Sequence, residues 1–224
     1  EPETYEVAFN EDRTEFARRD GGFSTTLEVL VSAEDDAEVR RVTISNFGSQ
    51  PREVEVTSYA ELVLASQAAD VMHPAFSKLF TETEHLAGLG AILATRRRRV
   101  PTEPQVWAAQ LAVVQGEAAG KREFETDRAR FIGRCRTTGA PAAIAEQGPL
   151  SNTVGTVLDP IFSLRQRVRI APGKVARIAY WTVVASSRAE LMDLIDKHHD
   201  PSAFERARTL AWTQGQVQLR HLDI

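Results

Sequence analysis

The stretch Leu164-Arg165-Gln166-Arg167-Val168-Arg169-Ile170-Ala171-Pro172-Gly173-Lys174-Val175-Ala176-Arg177-Ile178-Ala179-Tyr180-Trp181-Thr182-Val183-Val184 decides the fold class. Two strand-like runs, Leu164 to Ile170 and Val175 to Val184, flank a Pro-Gly turn. Proline presets φ and glycine supplies the positive-φ position, so the stretch predicts a hairpin. Upstream, Val39 to Ser45 sets Val39, Arg41, Thr43 and Ser45 on one face, with Val42 and Ile44 on the other. A turn cluster, Asn46-Phe47-Gly48-Ser49-Gln50-Pro51, separates it from Arg52 to Tyr59, where Val54 and Val56 face the core and Glu53, Glu55 and Thr57 face out. This period of two predicts a second hairpin, the best in the first half.

Phe23 to Val31, Ala91 to Thr95 and Val106 to Val114 read as further strands, the last two separated by Arg96-Arg97-Arg98-Arg99-Val100-Pro101-Thr102-Glu103-Pro104. Many strands joined by short turns, with no helices between them, predict antiparallel sheets rather than βαβ units. So many strands bury their apolar faces most naturally as two packed sheets. The period changes after Ser186. Ser187-Arg188-Ala189-Glu190 has capping-box spacing, and Leu191, Leu194 and Ile195 form a helical stripe ending near His198-His199. Asp200-Pro201 restarts a helix carrying Phe204, Ala207, Leu210 and Ala211. The organisation expected is a β-domain over 1–186 and a helical linker over 187–224, docked on a sheet or on a neighbour.

The 224-residue chain is 42% hydrophobic and 26% charged, enough for a sizeable core and against disorder. Its net charge of −4 offers no global basic field for nucleic acid or an anionic membrane. No apolar run approaches the roughly 20 residues that cross a bilayer, and Glu1-Pro2-Glu3 lacks the basic start and apolar stretch of a signal peptide. Both chain ends read as boundaries within a longer polypeptide. The single cysteine, Cys135, cannot form an internal disulfide and fits a reducing compartment, so a cytoplasmic placement is expected. Direct membrane insertion by this segment is not expected.

Ser58 to Phe80, SYAELVLASQAADVMHPAFSKLF, starts strand-like to Leu64 and breaks into a small-residue loop. His73-Pro74-Ala75-Phe76-Ser77-Lys78-Leu79-Phe80 then leads into another strand. That mixture exceeds what β-packing needs. It resembles the amino-terminal β-domain of glycoside phosphorylases of family 94, formerly glycosyltransferase family 36, and most of all the phosphorylase-like region of cyclic β-1,2-glucan synthases. Thr126 to Arg134, Leu158 to Arg165 and Gln216 to Leu222 resemble further family segments in the same order, over nearly the whole chain.

The resemblance implies an all-β, antiparallel two-sheet supersandwich of the galactose-mutarotase-like kind, with a helical appendage leading to an (α/α)6 catalytic barrel. It further implies a parent that is an inverting phosphorylase or glucan synthase, homodimeric and anchored at a bacterial inner membrane. The catalytic acid and the inorganic phosphate site then belong to the barrel, so this segment alone is expected to be inactive and to hold no cofactor. Its expected partners are its own catalytic domain and β-glucan, with no nucleic acid. A free-standing carbohydrate-binding module is the alternative.

Candidate sugar or active-site-rim contacts are His73, Phe76 and Lys78 in the first segment and Asp127, Arg130 and Arg134 in the second. An imidazole beside aromatic rings suits a sugar, though loop aromatics more often anchor a loop. Arginine forks suit phosphate or hydroxyls, though Asp–Arg networks more often hold loops. The Arg96–Arg99 run reads as a solvated strand end. His198-His199-Asp200 lacks metal-ligand spacing, and Cys135 reads as a buried or incidental thiol. Ser151 is not in a nucleophile elbow. A mutarotase enzyme would need a His and a carboxylate converging in a sheet concavity, and no spacing supports that.

Overall fold

The computed structural model describes residues 2–221; Glu1 and Leu222 to Ile224, including the end of the Gln216–Leu222 segment, lie outside the described residues. The strands in chain order are β1 (Thr4–Phe9), β2 (Thr14–Asp20), β3 (Phe23–Val31), β4 (Ala37–Asn46), β5 (Arg52–Thr57) and β6 (Ala60–Glu61). Two short helices follow, α1 (Gln67–Met72) and α2 (Pro74–Lys78). Next come β7 (Thr81–Leu86), β8 (Ala91–Arg96), β9 (Trp107–Gln115), β10 (Glu117–Ala118) and β11 (Glu123–Asp127), then α3 (Arg128–Ile132) and α4 (Ala142–Ala145). The chain closes with β12 (Gly155–Thr156), β13 (Pro160–Ile170), β14 (Val175–Ala185), α5 (Arg188–His199) and α6 (Ala203–His221).

All pairings among the described strands are antiparallel. A nine-stranded sheet runs β1-β2-β3-β4-β14-β9-β8-β7-β12. A smaller sheet has β13 as its spine, with β5 and β6 along one edge and β10 and β11 along the other. Two antiparallel sheets are as the sequence predicts; the hairpins are not. β13 and β14 do not pair, because both edges of β14 are taken by β4 and β9 and both edges of β13 by other strands. The turn itself forms as expected, with Gly173 at φ +69° and Lys174 N–H donating to Ala171 O at 3.0 Å. It carries the chain across from one sheet to the other. Turn chemistry sets the reversal, and it leaves open whether the arms pair edge to edge or stack face to face.

The second predicted hairpin is corrected in the same way: β4 lies in the large sheet and β5 in the small one. The five residues between them, 47–51, are enough to change layers. Asn46, 1% exposed, rivets the two crossings together. Its Nδ2 donates to Gln50 O and Ile170 O, both at 2.9 Å, and its Oδ1 accepts from Gly48 N–H at 2.9 Å. Its backbone joins the other turn, N–H to Lys174 O and O from Gly173 N–H.

Because strand residues alternate, the large sheet has two apolar faces. Ile44, Ile92, Ala112, Ile178 and Tyr180 meet Phe162, Leu164, Val168 and Ile170 of the small sheet. On the other face Leu30, Val39, Leu93, Leu111, Trp181 and Val183 meet Leu191 and Ile195 of α5 and Phe204 and Ala207 of α6. The terminal helices thus dock on the sheet as a third layer. Ser187 Oγ accepts from Glu190 N–H at 3.2 Å as the capping box predicts, but Glu190 reaches back one residue further, to Ser186 N–H at 3.0 Å.

The expectation of no helices between strands is overturned by α1 to α4. In the Ser58–Phe80 stretch only β6 is strand, since Ser66 caps α1 and Pro74 stands at the first position of α2. A third cluster, Phe131, Ile132, Leu150 and Ile161, seats α3 and the following loops on the outer side of β13.

Candidate functional site

β13 begins with Pro160, and the residue before it, Asp159, stands where β6, α2 and α3 meet. Lys78, in the last turn of α2, donates from Nζ to Asp159 Oδ1 at 2.7 Å. Arg128, the first residue of α3, lies with Nε 2.8 Å from Glu61 Oε1, 3.2 Å from Tyr59 Oη and 3.6 Å from Asp159 Oδ2. Its backbone N–H donates to Asp159 O at 3.0 Å. Tyr59 donates its hydroxyl to Glu61 Oε1 at 2.7 Å, and its ring packs on Phe131 at 5.0 Å between centroids. Two carboxylates and two cations therefore close a charge-neutral network at the start of β13, called the rim network below.

Burial, reinforced by the hydrogen bond to Glu61, pushes the Tyr59 phenol up to about 12. Hydrogen bonds from Tyr59 and Arg128 hold the Glu61 carboxyl below its usual range. Tyr59 stays a phenol and Glu61 an anion across neutral pH, so neither is poised as a general base or nucleophile.

The sequence candidates divide into separate groups. Lys78 belongs to the rim network. Asp127 caps α3, its Oδ1 accepting from Ala129 N–H at 2.9 Å, and Arg130 lies 3.6 Å from its other oxygen. His73 is exposed at the α1–α2 junction, where its backbone N–H, not its ring, bonds Ala69 O. Phe76 is half-exposed and meets Phe80 edge-on at 5.2 Å. Arg134 is exposed beyond Gly133 and joins neither group. Gly133 sits at φ +81°, and a Cβ there would lie 2.6 Å from that of Ala142, so the Phe-Ile-Gly segment has a packing reason for its glycine.

Arg96 and Arg99 share Glu103, and Arg97 reaches Glu82 at 3.6 Å. The strand-end reading fits, with one addition: Phe80 lies under Arg96, Arg97 and Arg99 at 5.5, 5.9 and 5.9 Å. Cys135 is exposed rather than buried, in a left-handed backbone position at φ +59°. Arg165 is a buried strut, donating to Thr57 Oγ1 at 3.2 Å and Gly148 O at 2.8 Å and pairing with Glu55 at 3.1 Å and Glu123 at 3.3 Å. Ser151 is spent on Glu125, Oγ to Oε2 at 2.6 Å. Among the described residues no group of three or more His, Cys, Asp or Glu is placed to hold a metal, and no helix is long and apolar enough to cross a membrane.

Sequence reasoning missed Tyr59, Glu61 and Asp159. Tyr59 and Glu61 carried the period-two signal of one strand face, but their partner Arg128 lies 67 and more residues away.

A family model for the glycosyl hydrolase 94 supersandwich domain matches residues 1–201. The chain is 40% identical over 216 residues to the cyclic beta-(1,2)-glucan synthase NdvB of Rhizobium meliloti, covering 96% of this chain and 8% of that protein. It is 25% identical over 163 residues to solabiose phosphorylase of Paenibacillus borealis, covering 73% of this chain and 20% of that one. The chain thus spans a fifth or less of either relative. Among solved structures, a bacterial glucoamylase complexed with acarbose aligns at TM-score 0.53 and 9% identity, over 94% of this chain and 28% of that one; this likeness concerns the fold alone.

Proposed function

Since the chain belongs to the glycosyl hydrolase 94 supersandwich domain family, we propose that it is the non-catalytic β-domain of a larger β-glucan synthase or phosphorylase, and that it supports and orients an (α/α)6 catalytic barrel. Residues 187–224 serve as the linker toward that barrel. The observation carrying this reading is the division of α6. Ala203, Phe204 and Ala207 are buried on the sheet, while Trp212 is 52% and Val217 48% exposed further along the helix. Trp212 and the 82% exposed Phe9 line one groove, and a contiguous exposed apolar patch is the kind of surface that another body covers. Arg13 and Arg208 line the same groove, at the β1–β2 turn.

The Tyr59–Arg128 network fits the same reading, because its carboxylates and cations are paired with one another. In the inverting chemistry of such enzymes one acid protonates the leaving oxygen while a nucleophile attacks the opposite face. That acid and the phosphate are assigned here to the barrel. The test is a phosphorolysis assay on the chain alone with β-1,2-linked glucooligosaccharides. No glucose 1-phosphate is expected, and its release would overturn the proposal. A family 94 barrel supplied in trans is expected to bind the chain, and the double variant F9A/W212A to lose that binding.

A further inference from the structure

The small sheet does not cover the whole inner face of the large one. Beyond its β5–β6 edge, strands β3, β4, β14 and β9 leave a cleft of about 350 Å3, walled by Ser58, Tyr59 and Ala60. We infer that this cleft is a binding site for a neutral sugar ring.

Strand register builds the site. Glu38 on β4, Thr182 on β14 and Gln110 on β9 stand directly opposite one another, so three polar side chains form one row across three strands on the same face. Neighbouring strands lie about 4.8 Å apart, so the row is wide enough to face the hydroxyls along one edge of a sugar. The next row holds Arg40 opposite Tyr180, and the one beyond holds Leu27 opposite Val42 and Val42 opposite Ile178. Polarity therefore grades from hydrogen-bonding groups to an apolar floor within one cleft. A pyranose has the matching character, with hydroxyls around its edge and C–H groups on its faces. The volume sits at the lower end of the range for small-ligand pockets, roughly 300–1,000 Å3, and suits one or two hexose units.

Gln110 is the most telling residue. It is 4% exposed, yet only half of its carboxamide is used. Oε1 accepts from Ser58 Oγ at 2.6 Å, while Nε2 has no protein partner among the described residues. Its Oε1 end is fixed by Ser58 while its Nε2 is left open toward the cleft, so the carboxamide presents an oriented donor that a ligand can engage in place of water. Arg40 donates from Nε to Glu38 Oε1 at 2.7 Å, leaving its terminal N–H groups and Glu38 Oε2 without protein partners among the described residues. That pair cancels its own charge, which selects a neutral ligand over a phosphate or a carboxylate. No histidine lines the cleft, and its single carboxylate is paired. The site has donors and acceptors for recognition and no acid–base pair for turnover, so binding without mutarotation is expected.

This site does not rest on the barrel-supporting role, and the phosphorolysis assay tests that role separately. The test is a titration of the isotope-labelled chain with glucose, and in parallel with β-1,2- and β-1,4-linked glucosyl disaccharides, following the Gln110 side-chain NH2 signal. Saturable shifts in the millimolar range centred on Gln110, Thr182 and Arg40 are expected. Thr182→Val, which keeps the side chain's shape, and Gln110→Met should each weaken binding about 3- to 10-fold, as the loss of one hydrogen bond implies. Lys78→Met, on the rim, should leave it unchanged. Circular dichroism checks that each variant folds, and Thr182→Val, on the cleft surface, keeps the test open if Gln110→Met does not. No saturable shift at about 100 mM sugar, at which a site of millimolar affinity is nearly full, overturns the inference. So do shifts centred on Lys78, Arg128 and Asp159 with none at Gln110, or binding undiminished in Thr182→Val.

Discussion

The two faces of the nine-stranded sheet are finished differently, and β14 displays both within adjacent residues. Trp181 and Val183 point into the helix-covered face, where they are 1% and 0% exposed. There Trp181 stacks on His198 at 4.1 Å, and His198 Nε2 lies 2.9 Å from Asp35 Oδ2. Tyr180 and Thr182 point to the other face, at the border where the small sheet ends and the cleft opens. A layer wide enough to cover its face leaves a closed core; one only a few strands wide leaves an edge, and polar side chains collect along it. In this fold, stability and recognition are divided between the two sides of one sheet.

The most severe way to break that division is to damage the closed side. Trp181→Ala should cost about 3–5 kcal/mol in denaturant unfolding, whereas Thr182→Val, one residue away, should change it by about 0.5 kcal/mol or less. Equal effects would end the distinction between the faces. Asn46→Ala removes the joint shared by both layer crossings, and about 2–3 kcal/mol is expected from its unmet carbonyl partners. A loss confined to a few tenths would mean that the crossings hold independently.

Acid should act on the closed side as well. Burial is the largest influence on His198 and lowers its pKa below the ordinary 6.5, against the pull of Asp35. A histidine depressed in the folded state contributes no pH dependence above its unfolded value, and stability falls as pH drops below about 6.5 because the unfolded chain takes up the proton first. Burial alone would raise Asp35, but Lys197 and His198 outweigh it and hold it below 3.8, so its contribution is lost in the same direction at still lower pH. The melting temperature should therefore decline from pH 7.5 to 5, and His198→Gln should flatten that decline.

The smallest effect belongs to the rim. Arg128→Ala removes a half-exposed ion pair and should cost about 0–1 kcal/mol. Glu61→Gln should lower the Tyr59 titration from about 12, read by phenolate absorbance. Burial, the larger cause, keeps the value above that of a free tyrosine.

Much of the fold was legible. The main strand periodicities, the turn at Pro172-Gly173 and the Ser187 cap act over a few residues and form where the pattern places them, with the Glu190 side chain shifted to Ser186 and the Ser58–Leu64 run reduced to Ala60–Glu61. The candidate site was less so. Lys78 was singled out in its segment, but the residues around it, Tyr59, Glu61, Arg128 and Asp159, come together only when three distant segments meet. The Gln110 signal was available in the sequence. One polar residue stands inside the apolar run Trp107-Ala108-Ala109-Gln110-Leu111-Ala112-Val113-Val114, and Thr182 likewise interrupts its own strand. Without register, such an interruption does not show what it faces.

By itself, the sequence determined that this chain forms antiparallel strands with a helical end, because backbone preference, alternation and turn chemistry are local. It also carried enough ordered segments to place the chain in its family. Only the tertiary structure decided that Leu164 to Val184 spans two layers rather than forming a hairpin. Edge-to-edge pairing and face-to-face stacking satisfy the same local pattern. The choice depends on which other strands compete for each edge and which apolar surfaces remain to be covered. The cleft follows from that outcome, since its row of Glu38, Thr182 and Gln110 exists only once β4, β14 and β9 are neighbours.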